Sequence, residues 1–123
     1  FSDPRVDFSQ PSETNSGRYW YNLHLVLVTA SRFRMGGAGF LAKMRDSCLQ
    51  TAAENDCRIA ELSIMPDHLH MALRGSVDMS PTSIGLAFQN NTARVGGCRW
   101  WQDDFYVGTF SEYDLGALRK SSN

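Results

Sequence analysis

His68-Leu69-His70 sets two imidazoles one residue apart in the run Ile64-Met65-Pro66-Asp67-His68-Leu69-His70-Met71-Ala72-Leu73. On a β-strand successive side chains alternate between faces, so both rings project from one surface while Leu69, Met71 and Leu73 project from the other. Two imidazoles standing on a strand anchored by apolar residues form a two-pronged clamp for a divalent cation, and a cation held there can polarise a phosphate or carbonyl oxygen. A solvated strand can also carry histidines for solubility alone. The chain has only three histidines in all, so their meeting at this spacing directs attention to the elements that position them.

Residues 19–29 (YWYNLHLVLVT) are aromatic and β-branched and predict a strand, with Leu23, Leu25 and Leu27 on one face and Asn22, His24, Val26 and Val28 on the other. Residues 30–39 carry Arg32, Arg34 and three glycines, a loop composition. Phe40, Leu41, Met44, Cys48 and Ala52 recur with helical spacing and predict an amphipathic helix over 40–54. A strand follows over 57–65, with Ile59, Glu61, Ser63 and Met65 alternating against Ala60, Leu62 and Ile64. Pro66-Asp67 turns the chain into the histidine strand, 68–74.

Ser80-Pro81 supplies an N-cap and a first-turn proline for a helix over 81–95, burying Ile84, Ala87, Phe88 and Asn91 or Ala93 and stopped by Gly96-Gly97. A fourth strand is expected over 99–109 and a short helix over 111–120. The order is βαββαβ with a C-terminal helix. It predicts an α+β, ferredoxin-like fold: a four-stranded antiparallel sheet with helices on one face. The histidine pair then points from the open face.

The length of 123 residues bounds the chain to one domain, and 42% hydrophobic composition is enough for one modest core. Residues 1–17 are polar and contain two prolines, so they read as a flexible N-terminal arm rather than a secretory leader, with the domain occupying 18–123. No apolar run reaches membrane-spanning length. Cys48, Cys57 and Cys98 are odd in number and lack Cys-x-x-Cys spacing, which reads as reduced thiols in a cytoplasmic protein. A net charge of −1 argues against non-specific attachment to duplex DNA and leaves room for local arginine contacts to one nucleic-acid element.

Met65-Pro66-Asp67-His68-Leu69-His70, set in this element order and followed by Trp100-Trp101 and a terminal helix, resembles the single-tyrosine HUH transposases, including the REP-associated tyrosine transposases. The resemblance spans roughly residues 19–119. It implies a metal-dependent endonuclease and strand transferase acting on single-stranded DNA, often a hairpin, through a 5′-phosphotyrosine intermediate. It also implies Mg2+ or Mn2+ held by His68 and His70, and a homodimer. The nucleophile it points to is Tyr113. The family's further ligand, a glutamine or asparagine four residues beyond the tyrosine, is replaced here by Ala117. The register that puts Asn123 at that ligand position puts Arg119 at the nucleophile's. Glu61, Asp67 and Asn123 are the candidate third ligands, with Asp67 more simply a turn residue.

Arg32, Arg34, Arg94 and Arg99 are the candidate nucleic-acid contacts, with Arg18 and Arg74 further phosphate contacts to consider. Trp100 and Trp101 are adjacent, so on a strand one would enter the core and the other could stack on a base. Tyr106 reads as core or as a stacking surface, and His24 as a packed or surface histidine. The second functional reading is a catalytically inactive, domesticated protein that binds a nucleic-acid hairpin without cutting it.

Overall fold

The computed structural model describes residues 1–14, 17–30, 33–96 and 100–110. Its elements are β1 (Ser12–Thr14), β2 (Gly17–Tyr19), β3 (Asn22–Val28), α1 (Ala38–Glu54), β4 (Arg58–Ile64), β5 (His68–Arg74), α2 (Pro81–Ala93) with a 3-10 turn over Arg94–Gly96, and β6 (Tyr106–Phe110). β3, β4, β5 and β6 form one antiparallel sheet in the order β4-β5-β3-β6. Helix α1 carries the chain from β3 past β5 to β4, and α2 carries it from β5 past β3 to β6. The α+β architecture expected from the pattern is the one observed.

Register explains why one face is core. Leu23, Leu25 and Leu27 of β3 stand opposite Leu73, Met71 and Leu69 of β5. All six are fully buried with Met44 and Cys48 of α1 and Ile84 and Phe88 of α2. Each such side chain contributes about 1.5–3 kcal/mol on leaving water. A slip of one residue would expose the whole set and bury the histidines, so this pairing is strongly specified. Ser80 caps α2 by accepting from the Ser83 amide (3.1 Å), with Pro81 in the first turn. The bare Cα of Gly85 leaves the space that the Phe105 ring fills against α2. Burial pushes the Cys48 thiol up to about 12, which removes it from thiolate chemistry.

Three differences from the sequence-based expectation have local causes. The first predicted strand is divided: residues 17–19 pair with 12–14 in a separate two-stranded sheet, and β3 begins only at Asn22. The strand expected over 99–109 is confined to Tyr106–Phe110, preceded by a single bridge between Thr29 and Trp101. With no continuous strand to impose alternation, both Trp100 and Trp101 turn inward. Their indole N–H groups donate to the Ala93 carbonyl (3.0 Å) and the Thr92 hydroxyl (2.8 Å), so neither tryptophan is left to stack on a base. Finally, α2 stops at Ala93 and tightens into the 3-10 turn. The helix expected over 111–120 lies outside the described residues.

The first residues run along the outer edge of β4. The Phe1 nitrogen donates to the Leu62 carbonyl, the Leu62 amide to the Phe1 carbonyl, and the Asp3 amide to the Ala60 carbonyl. Farther along, the Phe8 ring meets Phe110 edge-on at 5.1 Å. Arg74 donates to the Ser12 hydroxyl (3.1 Å) and to the Asp7 and Gln10 carbonyls. No helix among the described residues is long and apolar enough to cross a membrane.

Candidate functional site

The face of the sheet opposite the leucines is polar and aromatic, and its layout follows from register. Ser63, His70, Val26 and Tyr106 form one row across β4, β5, β3 and β6. Glu61, Ala72, His24 and Gly108 form the next. His68 and Val28 stand at one end of the face; Arg74, Asn22 and Phe110 stand at the other.

His68 follows directly on the Pro66-Asp67 turn, which is tied down from three sides. The Met65 amide donates to the His68 carbonyl (2.8 Å), the Thr29 amide and hydroxyl to the Asp67 carbonyl (3.0 and 3.1 Å), and the Met35 amide to the Pro66 carbonyl (2.7 Å). Proline suits this turn because its φ is preset and it has no N–H to satisfy. The Asp67 side chain, read from sequence as a turn residue, lies with Oδ1 2.8 Å from Nδ1 of His68. That hydrogen bond pulls the Asp67 carboxyl below its ordinary value, with the Arg34 charge adding to the effect. A carboxylate on Nδ1 fixes the ring's orientation and leaves Nε2 as the nitrogen free to ligate, the usual outer-sphere arrangement of a metal-binding histidine.

His70 is joined by His24, which the sequence offered only as a packed or surface residue. The two rings meet edge-on, centroids 4.2 Å apart. Burial lowers the pKa of both; His68 lowers His70 further and His70 lowers His24 further, while Glu61 opposes both shifts. Both shifts favour the uncharged ring, the form that could ligate a metal. The signal for His24 was present in the chain. Matching the leucine face of residues 23–27 to that of 69–73 places His24 on the histidine side.

Glu61 reaches this face through a β-bulge. Ile59 pairs with Leu73, yet Glu61 pairs with Ala72, so one residue is extra between them. Strict alternation would have sent Ile59 and Glu61 the same way. The bulge buries Ile59 and turns Glu61 outward toward the histidines, re-aiming a side chain beside a site.

Arg34 stands near the Asp67–His68 end of the site. Arg94 does not; it borders a cleft on the helical layer with Ser47, Gln50 and Glu54, across the sheet from the histidines. Arg74 is engaged by residues 7–12. Tyr106 is 62% exposed on the histidine face, which rules out a core role. Tyr113, Arg32, Arg99 and Asn123 lie outside the described residues.

Two imidazoles on alternate positions of one strand, one buttressed by a carboxylate, could serve as two ligands of a divalent cation. Among the described residues no three His, Cys, Asp or Glu side chains assemble into a metal-holding group.

The described residues form an α+β domain whose four-stranded antiparallel sheet carries a His-x-His pair on its open face. The sequence profile described as "Transposase IS200 like" matches residues 18–120, and the chain belongs to that family. Among solved structures it is similar to a protein assigned as a transposase from Deinococcus radiodurans R1, with a TM-score of 0.71 and 19% identity, covering 90% of this chain and 95% of that one. It is also similar to a REP-associated tyrosine transposase bound to a REP hairpin, with a TM-score of 0.66 and 12% identity, covering 97% of this chain and 68% of that one. At these identities the likeness is one of fold. No curated protein matches the chain.

Proposed function

We propose that this transposase-family chain nicks and rejoins single-stranded DNA at a hairpin, with His68 and His70 holding Mg2+ or Mn2+ beside the scissile phosphate. The observation that carries the reading is the pair of imidazoles standing together on the open face, one oriented by Asp67, in a chain of the IS200-like family. Imidazole does not choose between the two metals. A bound cation supplies charge neutralisation at the phosphate during attack.

The chain's own residues do the rest. Tyr113, by resemblance the nucleophile, attacks phosphorus with its phenolate oxygen. A P–O bond to tyrosine forms, and the bond to the 3′ oxygen breaks. The 3′ oxygen leaves and takes a proton, so the DNA holds a free 3′-hydroxyl and the protein a 5′-phosphotyrosine. The phosphodiester's energy is kept in that link, and reversal by a 3′-hydroxyl needs no cofactor. Arg34, with Arg32 and Arg99, contacts flanking phosphates. A hairpin substrate is supported by the similar fold bound to one. The reaction is read as cytoplasmic, with Cys48 and Cys57 as buried free thiols. A homodimer, implied by the family resemblance, would form away from Ala60 and Leu62 of β4, whose edge groups residues 1 and 3 already take.

The test uses the full chain, hairpin oligonucleotides from the DNA flanking its gene, labelled on the 3′ side, and Mn2+. The expected result is a covalent adduct on a denaturing gel that Tyr113→Phe and His68→Ala both abolish. Hairpin binding with no adduct would instead support the inactive binding protein, a reading favoured by the pair of imidazoles finding no third ligand among the described residues. Absence of both binding and adduct overturns the proposal.

A further inference from the structure

We propose that Tyr106 is a stacking platform that receives a base adjoining the phosphate at the histidines; this rests on the single-stranded DNA reading above. Tyr106 and His70 are both cross-strand partners of Val26, so they share one face and stand two strand spacings apart, about 9.5 Å. That gap is within the span of one nucleotide whose phosphate lies at the histidines. The tyrosine is 62% exposed at the first position of β6, an edge strand of the sheet. At that exposure the ring keeps surface open to a ligand.

The neighbouring glycine makes the pose. Gly108 lies two residues on, on the same face, and the hydroxyl end of the Tyr106 ring occupies the space where a side chain at 108 would begin, 2.8 Å from an ideal Cβ. Glycine at 108 thus lets the ring lean along β6 toward the row that holds His24. His24 in turn meets His70 at 4.2 Å and Phe110 at 5.9 Å. His70, His24 and Phe110 form a run of ring contacts on the open face, and Tyr106 stands exposed beside it, in the row of His70. An open sheet face bearing aromatics is a recurrent way of holding unpaired bases, and stacking tolerates any base because each has a π face. Trp100 and Trp101, which precede β6, are buried, so within the strands of the four-stranded sheet Tyr106 is the largely exposed aromatic among the described residues.

The experiment measures binding of the full chain to single-stranded oligothymidine of about 16 nucleotides, a length that fills one binding surface. It is done in EDTA so that cleavage plays no part, with wild type, Tyr106→Phe and Tyr106→Ala. Loss of one stacked base is expected to weaken the Ala variant by about 5- to 150-fold, while Phe, which keeps the ring, stays within about twofold. The same DNA carrying 5-iodouracil should photocrosslink to the peptide that contains Tyr106. An exposed position makes the Ala variant's melting temperature a fair check that it folds. Equal affinity of the Ala variant and wild type, or a Phe variant as weak as Ala, overturns the proposal while leaving wild-type DNA binding intact. A wild type with no affinity for the oligonucleotide overturns this proposal, while the hairpin reading stands or falls on its own hairpin assay.

Discussion

The two faces of the central strands β3 and β5 are built from the same backbone and divided by side-chain parity alone. Odd positions of residues 23–27 and 69–73 are fully buried leucines and a methionine, and even positions carry His24, His70 and, one step on, His68 at the turn. The leucine face contributes stability and no chemistry. The histidine face contributes little burial and carries every donor of the candidate site. Putting imidazoles on the reverse of the best-packed strands holds them rigid without taking side chains from the core, the arrangement expected of a preorganised site.

The sharpest way to break that division is to remove function without touching stability. His68→Ala with His70→Ala is expected to reduce adduct formation by about a thousandfold or more, the loss of several kcal/mol of charge stabilisation. The melting temperature should stay within a few degrees, since both rings are partly exposed. The converse change is Phe88→Ala, which empties a fully buried site against the leucine face. It should cost about 3–5 kcal/mol in denaturant unfolding, with adduct yield per folded molecule unchanged. A calorimetric or fluorescence unfolding curve beside an activity assay reads both.

A smaller effect tests the buttress. Asp67→Ala leaves the histidines in place but removes the acceptor on His68 Nδ1, and Mn2+ affinity measured by titration should fall about 10- to 100-fold. The mildest effect is one of pH. The folded pKa values of His24 and His70 lie below the ordinary 6.5, burial being the largest cause. The unfolded chain therefore binds protons more readily than the folded one. Stability is fully present above 6.5 and falls as pH drops through that value toward the folded pKa values. Denaturant midpoints between neutral and mildly acid pH should show this decline, and it should flatten in a His24→Gln variant. A rise in stability over that range would contradict the placement of these rings.

Much of the site was legible in the chain because its logic is local. The i, i+2 spacing of His68 and His70, the leucines between and beyond them, Pro66-Asp67 and the capped start of α2 at Ser80 depend only on near neighbours. What failed to read out depended on pairing. Alternation placed Glu61 with Ile59, and only cross-strand register reveals the bulge that separates them. Adjacent tryptophans suggested opposite faces, and both turned inward once Ala93 and Thr92 offered acceptors for their N–H groups. Arg94 and Arg34 look alike in sequence, and the fold sends one to the helical layer and the other to the histidine end.

By itself, then, the sequence determined the α+β order, the core face and the two imidazoles, because periodicity is a property of single elements. The tertiary structure settled how other side chains meet those imidazoles: His24 edge-on from β3, Glu61 by way of a bulge, and Tyr106 leaning over Gly108 from β6. Each comes from a different strand, so their meeting depends on cross-strand pairing and not on any single element.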